Sequence, residues 1–245
     1  MLVVPVSALL AACAPAARLP SSLGSGDVGS VTVRIAAAAA DVGRGVAVEE
    51  GRATPAPSRP PRLACLGHPA IDAWERRLRG GSRLGARRLL ARGKPWVPKL
   101  ETSLAARRLP PGLALLPAIE SGFDPRARGA FDSAGLWQLQ SATARGLGLV
   151  VTRARDDRLD PNRATRAAAR YLARLHARYD DWPLALAAYN AGGGRVDRAL
   201  ARRPEASFWE LAEAGLLPET SAKFVPRFLA LVRLQRPCDG PRYQA

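Results

Sequence analysis

Histidine, cysteine and lysine are all scarce in this 245-residue chain, and each shortage removes a class of chemistry. The two histidines, His68 and His176, stand alone and no Cys/His cluster has ligand spacing, so neither a metal nor a cofactor is expected. Only Lys94, Lys99 and Lys223 are lysines among 37 basic residues, so the net charge of +16 is carried by arginine. No basic run is interleaved with aromatics, which leaves nucleic acid without a footprint. The charge then reads either as attraction to an anionic partner such as cell-wall polymer or a lipid surface, or as a solvated face. Period-two alternation is nearly missing, which argues against a sheet-based core. With 47% hydrophobic residues, the chain can still bury one sizeable core.

The first residues, MLVVPVSALLAAC, form an apolar segment too short to span a bilayer, ending in small residues before Cys13. Residues 1–12 therefore read as a signal peptide. Leu10, Ala11, Ala12 and Cys13 resemble a bacterial lipobox, in which the cysteine becomes the acylated first residue of a lipoprotein. No Lys or Arg precedes the apolar core, which departs from that pattern and fits a start assigned too far downstream. With Cys13 lipidated, Cys65 and Cys238 remain as a pair in an oxidising compartment, either bonded or as two buried thiols. Residues 13–61, rich in Ala, Gly, Pro, Ser and Val, read as a flexible tether. Residues 62–108 read as a helical segment, 109–236 as the main domain and 237–245 as a tail.

The main body reads as capped helices. Asp160 and Pro161 start one, with Ala164, Ala168, Tyr171, Leu172, Leu175 and Tyr179 on one face. The next starts near Pro183 and stops at Gly192–Gly194, putting Tyr189 and Asn190 on its last turn. A third, following Glu219, carries Phe224, Phe228, Leu231 and Val232 as a core stripe. The fold class is all-α, with a small β-hairpin between Arg126 and Leu139.

One acid stands out. In ALLPAIESGFDP, Glu120 borders an apolar surface of Leu113, Leu116 and Ile119 on a helix that starts at Pro111, with Pro117 suggesting a bend. A carboxyl desolvated among apolar neighbours is hard to ionise and can serve as a general acid; the same residue on an exposed face would do nothing. Its company is SAGLWQLQSATA, where Trp137 offers a flat apolar face and Gln138 an amide, and AAYNAGGG, with Tyr189 and Asn190. A carboxyl, aromatic faces and amides together suit an acetamido sugar.

These segments, with DDRLDPNRATRAAARYLARL and LPETSAKFVPRFLAL, resemble in order and spacing the motifs of bacterial lytic murein transglycosylases with the soluble-type (SLT) lysozyme-like domain, the membrane-bound D type among them. The resemblance runs from about Leu109 to Leu234. It implies an α-helical lysozyme-like fold and non-hydrolytic cleavage of peptidoglycan between N-acetylmuramic acid and N-acetylglucosamine, leaving 1,6-anhydromuramoyl ends. It also implies Glu120 as lone catalytic acid/base, with Ser121, Trp137, Gln138, Tyr189, Asn190 and Glu219 binding substrate.

Three positions depart from the family pattern: Gly129 stands where a serine is common, GAFDSAG replaces a Ser, Ala, Gly, Ala pattern, and Phe224 replaces a frequent tyrosine. The partners implied are glycan strands and, through Cys13, a membrane. Ala14 after Cys13 points to the periplasmic face of the outer membrane, with a secreted or periplasmic monomer as second choice. Two other readings stay open: a hydrolase using Asp124 or Asp132 as second carboxylate, and a wall-binding lipoprotein without catalysis.

Overall fold

A computed structural model describes residues 62–80 and 83–244; the expected signal peptide, Cys13 and the tether lie outside them. The described residues form an all-α domain of ten helices: α1 (Pro69–Arg79), α2 (Arg83–Gly93), α3 (Val97–Ala105), α4 (Leu116–Glu120), α5 (Ser141–Gly146), α6 (Pro161–Tyr179), α7 (Trp182–Ala191), α8 (Gly193–Arg202), α9 (Phe208–Glu213) and α10 (Glu219–Gln235). The hairpin is β2 (Ser133–Ala134) with β3 (Leu139–Gln140), antiparallel, pairing Ser133 with Gln140. A second small pair, β1 (Leu66–Gly67) and β4 (Tyr243–Gln244), is parallel.

Helix α7 is the centre. Its residues 182–188 are all buried, so it is apolar around its whole circumference, as a helix surrounded by others must be. Asp181 caps it, accepting from the Leu184 N–H at 2.6 Å. Helix α6 packs beside α7 and is started as its sequence demands: Asp160 accepts from the N–H groups of Asn162 and Arg163, and Pro161 sits where no donor is needed. Its small buried face, Ala164, Ala167, Ala168 and Leu172, permits close approach.

Helix α10 closes the other side of α7 and is also the main support of α1. Arg233 of α10 is buried and pairs with Asp72 at 2.5 Å and Glu75 at 3.3 Å, both on α1. A buried guanidinium is tolerated only with such partners. Next to it, Cys65 and Cys238 are joined in a disulfide, Cα–Cα 5.0 Å. Residues of α1 and α3, among them Ile71, Leu100 and Leu104, share one hydrophobic core with Leu113, Trp137 and Phe228. The segment 62–108 is thus built into the body.

One local expectation changes. The helix expected from Pro111 divides into a 3-10 turn, Pro111–Leu115, and the short α4, with Pro117 in the first turn of α4 where its missing N–H costs nothing. Helix α7 ends at Ala191, before the expected glycines, and a further helix follows without a loop. Gly192, at φ 86, turns the backbone, and α8 begins at once. Val196, Ala199 and Leu200, spaced three and four apart, were its signal in the sequence.

Candidate active site

Glu120 is the last residue of α4 and is half-buried. Two successive left-handed residues, Gly122 (φ 61) and Phe123 (φ 62), end the helix there, and the Phe123 N–H donates to the Pro117 carbonyl at 3.0 Å. Among the described residues the Glu120 carboxyl has no hydrogen-bond or ion-pair partner. Burial without compensation pushes its pKa from an ordinary 4.5 up to about 8. It is a carboxylic acid at neutral pH.

The next residue ties this acid to the hairpin. Ser121 Oγ donates to the Leu136 carbonyl at 2.8 Å and reaches the Pro117 carbonyl at 3.2 Å. Its hydroxyl is spent on the scaffold. The segment Gly135–Gln138 thereby lies against α4, and its far side rests on Arg158. That buried guanidinium binds Asp156 at 2.9 Å, the Leu139 carbonyl at 3.1 Å and the Asp132 carbonyl.

Gly135 makes this fit possible. At φ 78, a Cβ on it would stand 1.9 Å from the Arg158 carbonyl oxygen. Gly135→Ala is expected to cost about 2 to 4 kcal/mol through combined backbone strain and overpacking, read as a lower urea midpoint, and to abolish cleavage with it. An unchanged midpoint would mean the loop is not held against Arg158.

Trp137 does not offer the flat face expected of it. It is fully buried, and its indole N–H donates to Thr165 Oγ1 of α6 at 2.9 Å, so the ring is core and cannot stack on a sugar. Its carbonyl is what serves the site, accepting from the Tyr189 hydroxyl at 2.7 Å. The Tyr189 phenol is raised well above its ordinary value by burial and then by the nearness of Glu120, so it stays neutral beside the acid.

Gln138, at φ 47, has most of its amide already engaged. Nε2 donates to the carbonyls of Gly135 (2.9 Å) and Ala127 (3.3 Å), and Oε1 accepts from Ser133 Oγ at 2.9 Å. Asn190 is the opposite case. It is exposed at the end of α7, Oδ1 accepts from Ser221 Oγ of α10 at 2.7 Å, and its NH₂ group has no partner among the described residues. Glu219, at the start of α10, is exposed and paired with Lys223 at 2.5 Å, whose hydrogen bond and charge lower its pKa.

The two candidate second carboxylates each have partners of their own. Asp124 accepts from the Arg126 N–H at 2.8 Å. Asp132 is held below its ordinary value by hydrogen bonding from Ser141 and by the Arg158 charge. A cleft of about 570 Å³ beside the hairpin, lined by Arg128, Asp132, Ser141, Arg155, Asp156 and Arg158, holds this ion-pair network and does not include Glu120. Among the described residues no group of three His, Cys, Asp or Glu side chains could hold a metal ion.

Residues 100–212 match the model of the Transglycosylase SLT domain family. Membrane-bound lytic murein transglycosylase D of Escherichia coli (strain K12) is 39% identical over 145 residues, 57% of this chain and 31% of that protein. Membrane-bound lytic murein transglycosylase F of Alcanivorax borkumensis is 41% identical over 95 residues, 36% of this chain and 19% of that one. The chain thus spans a third or less of the length of these curated relatives. An inactive mutant of lytic transglycosylase Slt from Pseudomonas aeruginosa superposes with a TM-score of 0.47 at 26% identity, over 55% of this chain and 23% of that one.

Proposed function

We propose, on the premise that residues 100–212 are a transglycosylase SLT domain, that this protein cleaves the β-1,4 bond between N-acetylmuramic acid and N-acetylglucosamine in peptidoglycan and leaves 1,6-anhydromuramoyl ends. The observation that carries the proposal is a single unpartnered carboxyl, Glu120, kept protonated near neutral pH by burial.

One such group suffices for both halves of the reaction. Glu120 gives its proton to the glycosidic oxygen as the bond to the anomeric carbon breaks. The substrate's own acetamido oxygen bonds to that carbon, which replaces the second carboxylate of ordinary glycosidases. Glu120, now a carboxylate, takes the proton of the muramoyl carbon-6 hydroxyl. That oxygen displaces the acetamido oxygen at the anomeric carbon, and Glu120 is an acid again. No water is consumed.

Asn190, with two unengaged donors, is suited to a sugar carbonyl, and neutral Tyr189 steadies the loop beside the acid. Ser121 acts through the scaffold, and Glu219 is suited to contact at the rim. A hydrolase would pair the same acid with a second carboxylate, Asp124 or Asp132, or with an ordered water, and its products differ. Mass spectrometry of murein digested by the purified protein tests the proposal: muropeptides one water lighter than their hydrolysed forms support it, and reducing ends alone refute it.

We further propose that Cys13 carries the lipid that holds a monomeric enzyme at the periplasmic face of the outer membrane. The lipobox-like residues support this, as do the membrane-bound names of the relatives and a disulfide suited to an oxidising compartment. Cys13→Ala is expected to move the protein from the membrane fraction to the soluble fraction or to block its processing. Soluble wild-type protein that keeps its N-terminal segment would rule the anchor out.

A further inference from the structure

Gly129 lies in the loop that leads into β2, its N–H donating to the Ser133 carbonyl at 2.9 Å. The space beside its Cα is filled by two oxygens: a Cβ there would stand 2.3 Å from Gln138 Oε1 and 2.5 Å from Ser133 Oγ. Those atoms are 2.9 Å apart and hydrogen-bonded. Because both protons of the Gln138 NH₂ go to the Gly135 and Ala127 carbonyls, the amide cannot flip without losing two bonds. The Ser133 proton, pointing at Oε1, completes the lock. What the pair has left is lone pairs only, on half-buried oxygens at the surface of the loop that Ser121 clamps to the acid's helix.

We infer that Ser133 is a positioning residue that fixes Gln138 as an acceptor-only subsite beside Gly129, which takes an N–H or O–H donor of the sugar. The inference rests on the proposed function for its ligand. The subsite offers acceptors where Asn190 offers its unused NH₂ donors, so the two suit different groups of an acetamido sugar. Gly129 is required because any side chain there would displace the lock.

Three variants test this: Ser133→Ala, Gly129→Ser and the two combined. Ser133→Ala is expected to raise KM on murein about five-fold with kcat changed less than about two-fold, the effect of one lost hydrogen bond in binding. Gly129→Ser alone lowers Tm and raises KM, because its Cβ collides with both oxygens. Removing Ser133 Oγ takes away one of the two collisions and the bond that pins Gln138 Oε1, so the side chain can give way and accept from the new hydroxyl, and the double variant recovers part of the Tm and KM lost by Gly129→Ser. A serine with a packing role only would give back Tm on relief of the collision but not KM. The lock is overturned if Gly129→Ser costs the same Tm with and without Ser133, a measurement that needs no substrate. The positioning role is overturned if Ser133→Ala binds and cleaves murein as the wild type does. Failure of the wild type to cleave murein would instead overturn the proposed function.

Discussion

Replacing Glu120 with glutamine is expected to leave the protein folded and to reduce murein cleavage by about a thousand-fold or more, since one proton-transfer group is lost in both the donating and the accepting step. The amide keeps the shape and cannot move the proton. The same variant has a signature in stability. Glu120 binds its proton more tightly folded than unfolded, so wild-type stability relative to Glu120→Gln is intact below about pH 4.5. It falls as the pH rises through about 8, where a buried carboxylate must be carried. The variant should therefore melt higher than wild type at alkaline pH and equally with it at low pH. Glu101→Gln is the control: Glu101 pairs with Arg236 at the far end of α10 and should leave cleavage unchanged. Wild-type-like cleavage by Glu120→Gln would refute the assignment.

The second large effect belongs to the disulfide. Cys65 and Cys238 are separated by 173 residues, so their bond restrains almost the whole described body in the unfolded state. Replacing both with serine is expected to cost about 4 kcal/mol. For a domain of this size that lowers Tm by about 10 °C. The loss should be felt first at α1, whose seat on α10 lies between the bridge and the buried Arg233. Reduction without any change in Tm would show that the Arg233 pairs and the shared core hold that seat unaided.

Much of the scaffold was legible in the sequence because its signals are local. Asp160-Pro161 announces α6, the small-residue face of α6 gives its burial, and the apolar run before Glu120 foretells a desolvated acid. What escaped depends on residues far apart in the chain. The chemistry of Trp137 allows a sugar platform or a core ring. Only Thr165, waiting on α6 for the indole N–H, sends it inward. Gln138 reads as a versatile amide until Ser133, Gly135 and Ala127 use three of its four bonds. The 3-10 turn before α4 and the immediate start of α8 were missed because proline and glycine signal interruption in both directions. The bond between Cys65 and Cys238 is one of the two states that the cysteine count allows, and the distance that decides between them has no local signal.

That Glu120 is held protonated by burial alone is most directly tested by titrating its side-chain carboxyl carbon by NMR in the free, folded protein, the resonance being identified by its absence from Glu120→Gln. A midpoint near 8 is expected, together with loss of cleavage above the same pH. A midpoint at 4 to 5, the ordinary range for glutamate, would mean that the carboxyl is solvated or partnered and ionised at neutral pH, and it would contradict the assignment of Glu120 as the acid that opens the glycosidic bond.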